Sequence, residues 1–396
     1  MGEGDRVIEM KVSRRGFVAG LAAMPLALRQ MVAEGVRNPK YVLLGTDKGK
    51  GIYRAAWNPL TGEIGMPELA VETDRPTYFA MHPKKAVLYA ANESNAGNGA
   101  VSAFKLETHT AQLEAMGKVS TEGNGPCYVS VDQDGRNAFA ANYGGGSLAA
   151  FGLKGDGTVM EAPQMFACDG NAACGVTGPV AARQDKAHLH CAVVSPDNRY
   201  VLVCNLGEDA IEVFPLDSGG KPPLDTPKRF AARAGSGPRH VVFHPNGRWV
   251  YCIHELDCTV DVYEWRVSHK DGGTLMLLGG STVQTVATGS SLDGNTACEL
   301  VMSDRGKFVY ANTRGENSLV VYRVNEKTGF LTEQQRVQTG GTVTRLIALD
   351  PSRKWLLCMN QGSSSVTVFS HDEKTGMLGA KPRVFAADTP MCVAFA

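Results

Sequence analysis

Charge of one sign, metal-binding spacings and long apolar runs are what this 396-residue chain has little of. Forty Lys and Arg stand against forty Asp and Glu, with no basic run and no interleaving of basic and aromatic residues. A polyanion or a membrane surface therefore has nothing to grip, and no nucleic-acid partner is expected. There is no C-x-x-C pair and the histidine spacings suggest no zinc site, so neither a metal nor a cofactor is expected. Beyond the first thirty residues no segment approaches eighteen apolar residues, so the mature protein is expected to be soluble, without stable membrane association. Gly144-Gly145-Gly146 follows a strand with no helix after it, which excludes a phosphate-cradling loop. What is plentiful is punctuation: 45 Gly and 19 Pro, spread evenly, favour many short strands and turns over long helices.

The first residues differ from the rest. Ser13-Arg14-Arg15-Gly16-Phe17-Val18 precedes an apolar, small-residue run from Val18 to Leu28, too short to span a bilayer but right for a signal-peptide core. The paired arginines resemble a twin-arginine export signal, with Met31-Val32-Ala33 the nearest cleavage candidate. Residues 1–36 are read as signal and linker, and residues 37–396 as one domain. The expected location is periplasmic or secreted, with the twin-arginine machinery as the precursor's partner; an uncleaved N-terminal helix and a cytoplasmic protein are the alternative. Export permits disulfides. Cys191, Cys204, Cys252, Cys258 and Cys358 fall on or beside strands and read as small core residues; the best candidate bridge is Cys168 to Cys174, in a glycine-rich loop.

The domain is organised around Ser236 to Asp257, SGPRHVVFHPNGRWVYCIHELD, which reads as a β-hairpin turning at His244-Pro245-Asn246-Gly247. Arg239 and Glu255 stand at its two open ends, so the pairing of the strands brings the cation and the carboxylate together. Aligning similar hairpins gives equivalent first positions at Thr77, Cys127, His190, Arg239, Cys298 and Arg345, a repeat of about fifty residues. Fifteen residues on come Asn92, Asn142, Asn205, His254, Thr313 and Asn360; the Asn residues read as turn-closing and structural. A third strand ending in an aromatic and a short fourth strand complete each unit as a four-stranded meander. The ends of the chain look like halves of a seventh unit: Pro390 to Ala396 is a bare first strand, and Tyr41 to Gly45 and Gly51 to Trp57 a second and a third. The fold expected is all-β, a seven-bladed β-propeller whose ring is closed by N-terminal strands joining the C-terminal one. A stacked solenoid is the alternative.

Every hairpin enters and leaves at one end, so residues at the first and sixteenth positions should line one mouth of the central channel. Adjacent blades 3, 4 and 5 supply His190, Arg239 with Glu255, and Arg314: a base or acid, two fixed cations and a carboxylate. These four are the catalytic candidates, and His188, Glu93, Tyr143 and Arg345 are candidate substrate contacts. Each has a plainer reading: Arg239 with Glu255 as a structural ion pair, His190 as a satisfied interior histidine. The insertion Cys168 to Lys186 precedes blade 3 at the same face and reads as a rim loop or lid.

The segments SPDNRYVLVCNLGEDAIEVF, GPRHVVFHPNGRWVY and NTRGENSLVVYRVNEKTGFL resemble the lactonase family of seven-bladed propellers. That family includes propeller-type 6-phosphogluconolactonase and fungal carboxy-cis,cis-muconate cyclase. The likeness covers Lys40 to Ala396 and is most specific in the last five repeats. It implies a site at His190 in HLHC, Arg239 in GPRH, Glu255 in HEL and Arg314 in NTRGEN. It also implies a hydrolase opening a small anionic sugar-acid lactone, with Glu255 or His190 as base and the arginines holding the substrate anion and oxyanion. Two alternatives stand beside it: a cyclase acting on a carboxylated muconate, and a non-catalytic exported propeller that binds a ligand or a protein.

Overall fold

Short strands that alternate apolar and polar residues cannot bury both faces alone, so they stack as sheets around an axis. The computed structural model describes residues 39–94, 96–168, 174–216, 224 and 226–396. It shows seven antiparallel sheets arranged as the blades of a propeller. Blade 3, for example, runs outward through Leu189–Val194, Tyr200–Asn205, Ala210–Pro215 and Lys228–Ala231. Blade 4 follows with Pro238–Phe243, Trp249–His254, Thr259–Ser268 and Gly272–Leu277, and blade 5 opens with Thr296–Met302 and Phe308–Arg314. Among the described residues there is no α-helix, only a 3-10 turn at Leu206–Glu208. The expected leader, residues 1–36, lies outside the described residues.

The ring closes as the chain ends require. Pro390–Phe395 is the innermost strand of blade 7 and pairs with Tyr41–Thr46, which pairs with Gly51–Asn58. Without that union two strands would present unpaired edges. Apolar faces of neighbouring blades then pack together; Trp249, Tyr251, Val260 and Val262 of blade 4 meet Val309, Val320 and Tyr322 of blade 5. The turns before the fourth strands lock this contact. Gly329, at φ 78°, lies so close on the Trp249 ring that a Cβ would stand 2.7 Å from it, and Gly376 sits likewise on Phe308. Tyr251 Oη donates to the Gly329 carbonyl oxygen at 2.9 Å, fixing the same turn.

The inner strands carry a device that periodicity does not show. In blade 1, Pro76 faces Asn92 but Tyr78 faces Ala91, so Thr77 is an extra, bulged residue. The same slip isolates Cys127, His190, Arg239, Arg345 and, in blade 7, Met391. In blade 5 the slip lies between Ala297 and Leu300, so Cys298 and Glu299 together oppose one residue. A bulge bends the strand and re-aims its side chain. The first positions of the repeat are therefore bulge residues, and Thr77, Cys127, Arg239, Arg345 and Met391 converge on one small cavity on the axis. The residues after the bulges form a second layer: Tyr78, Tyr128, His240 and Glu299, with Leu346 and Cys392, line a cavity of about 340 Å³. That cavity extends to the hairpin turns at Pro245 and Asp304.

Candidate functional site

Blade 4 supplies the centre of the site. The bulge turns Arg239 inward, and the backbone N–H of Glu255, donating to the Gly237 carbonyl oxygen at 2.8 Å, holds the far end of the hairpin against it. Arg239 Nε then donates to Glu255 Oε2 at 2.9 Å, with Arg239 only 1% exposed. Arg239 Nη1 also donates to the Cys298 carbonyl oxygen and approaches His240 Nε2 at 3.3 Å. Arg314, ending the second strand of blade 5, places Nη2 3.0 Å from Glu255 Oε1. His190, the bulge residue of blade 3, sets Nε2 3.8 Å from Glu255 Oε2. The four catalytic candidates thus lie together around one carboxylate.

A third guanidinium reaches the same carboxylate. Arg183, in the insertion, donates from Nη2 to Glu255 Oε1 at 2.5 Å and to Tyr143 Oη at 3.1 Å. Its loop is held from several sides. The Gly175 N–H donates to Glu208 Oε2 at 2.8 Å, Gln184 Nε2 donates to the Leu206 carbonyl oxygen at 2.9 Å, and the Arg183 N–H donates to the Val180 carbonyl oxygen at 2.8 Å. Cys168 and Cys174 form a disulfide at the start of the same segment. Burial alone would push the Glu255 carboxyl up, but the guanidiniums of Arg314, Arg239 and Arg183 hold it well below the usual carboxylate range. For His190, burial and then the charge of Arg239 push the ring well below its ordinary value, so it is neutral at neutral pH. The centre therefore holds one anion, three cations and a neutral imidazole.

The other candidates divide. Tyr143 belongs to the centre, its ring edge-on to His190 at 5.4 Å and its hydroxyl on Arg183. His188 lies beside it, stacked on Tyr143 at 4.4 Å, with its ring nitrogens bonded to the Tyr143 carbonyl oxygen at 2.8 Å and Asp185 at 2.9 Å. Arg345 is a half-buried cation on the axis whose guanidinium has no hydrogen bond or ion pair to any described residue. Glu93 is elsewhere, accepting from Thr77 Oγ1 at 2.8 Å and lying 4.0 Å from Arg75. The Asn series is structural: Asn92 accepts from Ser102 at 2.6 Å, and Asn360 accepts from Thr344 Oγ1 at 2.6 Å. Eight cysteines are buried and free, five of them the ones read as core.

Sequence reasoning did not select Arg183, Glu299 or His240. Arg183 had one signal, an arginine in an insertion already placed at the rim. Glu299 had another, a lone charge in the otherwise apolar strand TACELVM.

The chain matches the family model described as "Lactonase, 7-bladed beta-propeller" over residues 41–395. The 6-phosphogluconolactonase of Bacillus subtilis is 28% identical over 346 residues, covering 87% of this chain and 94% of that protein. That of Formosa agariphila is 30% identical over 322 residues, covering 80% and 87%. Among solved structures, the periplasmic gluconolactonase of Pseudomonas aeruginosa superposes with a TM-score of 0.80 at 26% identity, covering 90% of this chain and 98% of that one.

Proposed function

The chain belongs to the lactonase family of seven-bladed β-propellers, and from that premise we propose that it hydrolyses a small anionic sugar-acid lactone at the Glu255 mouth. The observation that carries this reading is the charge ratio around Glu255: three guanidiniums share one carboxylate, which leaves positive potential for a carboxylate or phosphate of the substrate. The 6-phosphogluconolactonases and the gluconolactonase among the relatives support the same substrate class.

In this reading a water sits between His190 Nε2 and Glu255 Oε2, whose 3.8 Å gap is too wide for a direct bond. Its oxygen attacks the lactone carbonyl carbon while its proton passes to His190. Glu255, tied to three arginines, is the poorer base, and it orients the water and the cations. Arg314 and Arg183, the more exposed guanidiniums, face the developing oxyanion. The ring carbon–oxygen bond then breaks, His190 returns the proton to the leaving alkoxide, and the new carboxyl group releases its proton to solvent. Arg239 is enclosed and already bonded, so it holds Glu255, while Arg345 is the cation left to receive the substrate anion.

The test is a panel of lactones, neutral, carboxylated and phosphorylated, each compared with its spontaneous opening rate. Acceleration of the anionic members is expected. Rates equal to the uncatalysed ones throughout would remove the hydrolase reading in favour of a binding propeller. Export by a twin-arginine signal is part of the proposal; changing Arg14 and Arg15 to Lys should leave precursor in the cytoplasm, and undiminished periplasmic protein would refute it.

A further inference from the structure

We propose that Glu299 and His240 are positioning residues that fix the His190 ring with its proton on Nδ1 and its lone pair on Nε2, aimed at Glu255. The proposal rests on the reading of His190 as the base.

The three residues come from adjacent blades and form a continuous hydrogen-bonded chain through the wall of the channel. Glu299 Oε1 accepts the Leu300 backbone N–H at 3.0 Å and lies 2.8 Å from His240 Nδ1. His240 Nε2 lies 3.2 Å from His190 Nδ1, while Arg239 Nη1 lies against the His240 ring, 3.5 Å from Nδ1 and 3.3 Å from Nε2. An arginine can only donate, and a carboxylate engaged with a backbone N–H is an acceptor. A neutral His240 satisfies Glu299 in one tautomer alone, with Nδ1–H donating to the carboxylate at 2.8 Å and the Nε2 lone pair left for His190. The opposite tautomer would set a lone pair of Nδ1 against the Glu299 carboxylate. With His240 Nε2 an acceptor, the nitrogen of His190 that meets it must be the N–H, which leaves His190 Nε2 free to take a proton.

The surroundings favour neutral rings. Arg239 and Arg345 are the nearby cations, Glu299 and Glu255 the carboxylates, and Cys127, Tyr78, Tyr128 and Tyr143 the other titratable neighbours. Burial lowers both histidines from their ordinary value. The extended bulge of blade 5 explains how Glu299 arrives: the additional residue turns a charge inward that a regular strand would not carry.

Two measurements test the relay. In protein labelled with ¹⁵N at histidine, the ring nitrogen shifts of His190, assigned with His190→Gln, should report a protonated Nδ1 and a bare Nε2. A protonated Nε2 overturns the proposal, whether or not any lactone is turned over. Glu299→Leu removes the acceptor and should mix the two tautomers of His190. It should also lower kcat by on the order of 10–100-fold, part of the ~10²–10⁴ that a general base supplies, with KM held. Glu299→Gln keeps an acceptor oxygen and should restore most of the rate, which a purely structural carboxylate would not predict. Wild-type kcat and ring shifts in the Leu variant would also overturn it. If the unmodified protein opens no lactone, the hydrolase reading fails and the ring measurement still decides the relay.

Discussion

Two sides of the channel mouth are built from the same positions of one repeat and differ in kind. Around Glu255, one carboxylate 3% exposed meets Arg183, Arg239 and Arg314 beside a neutral imidazole. Across the ring, Thr77, Glu93 and Gln361 occupy the equivalent positions, and two carboxylates, Glu93 and Asp47, share Arg75. Arg75 lies 2.9 Å from Asp47 and 4.0 Å from Glu93, and its side chain is 34% exposed. Gln361 donates to Asp47 at 2.9 Å. The repeat delivers any residue type to the mouth. Burial and the ratio of cations to anions separate an enclosed charge cluster from a rim network, because a charge shielded from water interacts several-fold more strongly than one in solvent.

The comparison breaks most visibly at the two glutamates. Glu255→Gln should lose about 3–5 kcal/mol of stability, the usual cost of stranding buried partners. It should also lose at least ~10² in kcat/KM. Glu93→Gln should stay within about 1 kcal/mol, because its Arg75 pair is long and partly solvated and a Gln oxygen still accepts from Thr77. Denaturant unfolding with lactone kinetics on both variants checks this, and equal losses would erase the distinction between the two sides.

Next come two arginines at equivalent bulges. Arg239→Ala removes the bonds to Glu255 and the Cys298 carbonyl oxygen and the contact with the His240 ring, so about 3 kcal/mol of stability and on the order of 10²–10³ in rate should go together. Arg345→Ala breaks no bond to a described residue. Its stability should change by about 1 kcal/mol at most, while KM for an anionic lactone rises by up to about tenfold, or 1.4 kcal/mol, with kcat retained. A rise in KM for neutral lactones as well would argue against anion recognition. Arg183→Ala should be milder than Arg239→Ala, because Arg239 and Arg314 still hold Glu255 and the lost guanidinium is 36% exposed. A rate loss of about tenfold is expected, with thermal unfolding almost unchanged.

The smallest effect is in pH. His190, His240, His244 and His82 are all lowered from 6.5, with burial the first cause in each. A histidine with a lowered folded value binds fewer protons folded than unfolded. Its contribution is complete above 6.5 and is lost as pH falls through that value. His254 opposes them: its burial works to lower it, but Cys252 and Asp261 raise it further, to about 8. The chain should therefore lose stability on acidification from about pH 6.5 to 5.5, and His190→Gln should flatten that slope. A melting temperature that rises over this range would show that His254 together with the Glu212 carboxyl, pushed up by burial to about 7, dominates.

Much of this was legible before any coordinates. The Arg239–Glu255 pairing followed from hairpin geometry and blade 7 from the two half-repeats, and Cys168–Cys174 was the best candidate bridge because both cysteines sit in one glycine-rich loop. His190 and Arg314 joined them because equivalent positions in a ring share a mouth. Glu93 and Arg345 occupy equivalent positions too, and nothing in the spacing separated them from the centre. Arg183 escaped because it sits in a loop outside the repeat, and Glu299 because a one-residue lengthening of a bulge leaves no trace in alternation.

The sequence by itself determined the architecture and the identity of the side chains at the mouth, since apolar alternation, turn chemistry and a fifty-residue period act between near neighbours. Tertiary structure alone decided which of those side chains meet. Arg183, Glu255 and Arg314 come from an insertion and two blades, and their distances exist only once the ring is closed. The depressed carboxyl of Glu255 and the neutral ring of His190 were likewise undetermined by sequence, because the first depends on three arginines that the fold brings together and the second on the water that the blades exclude.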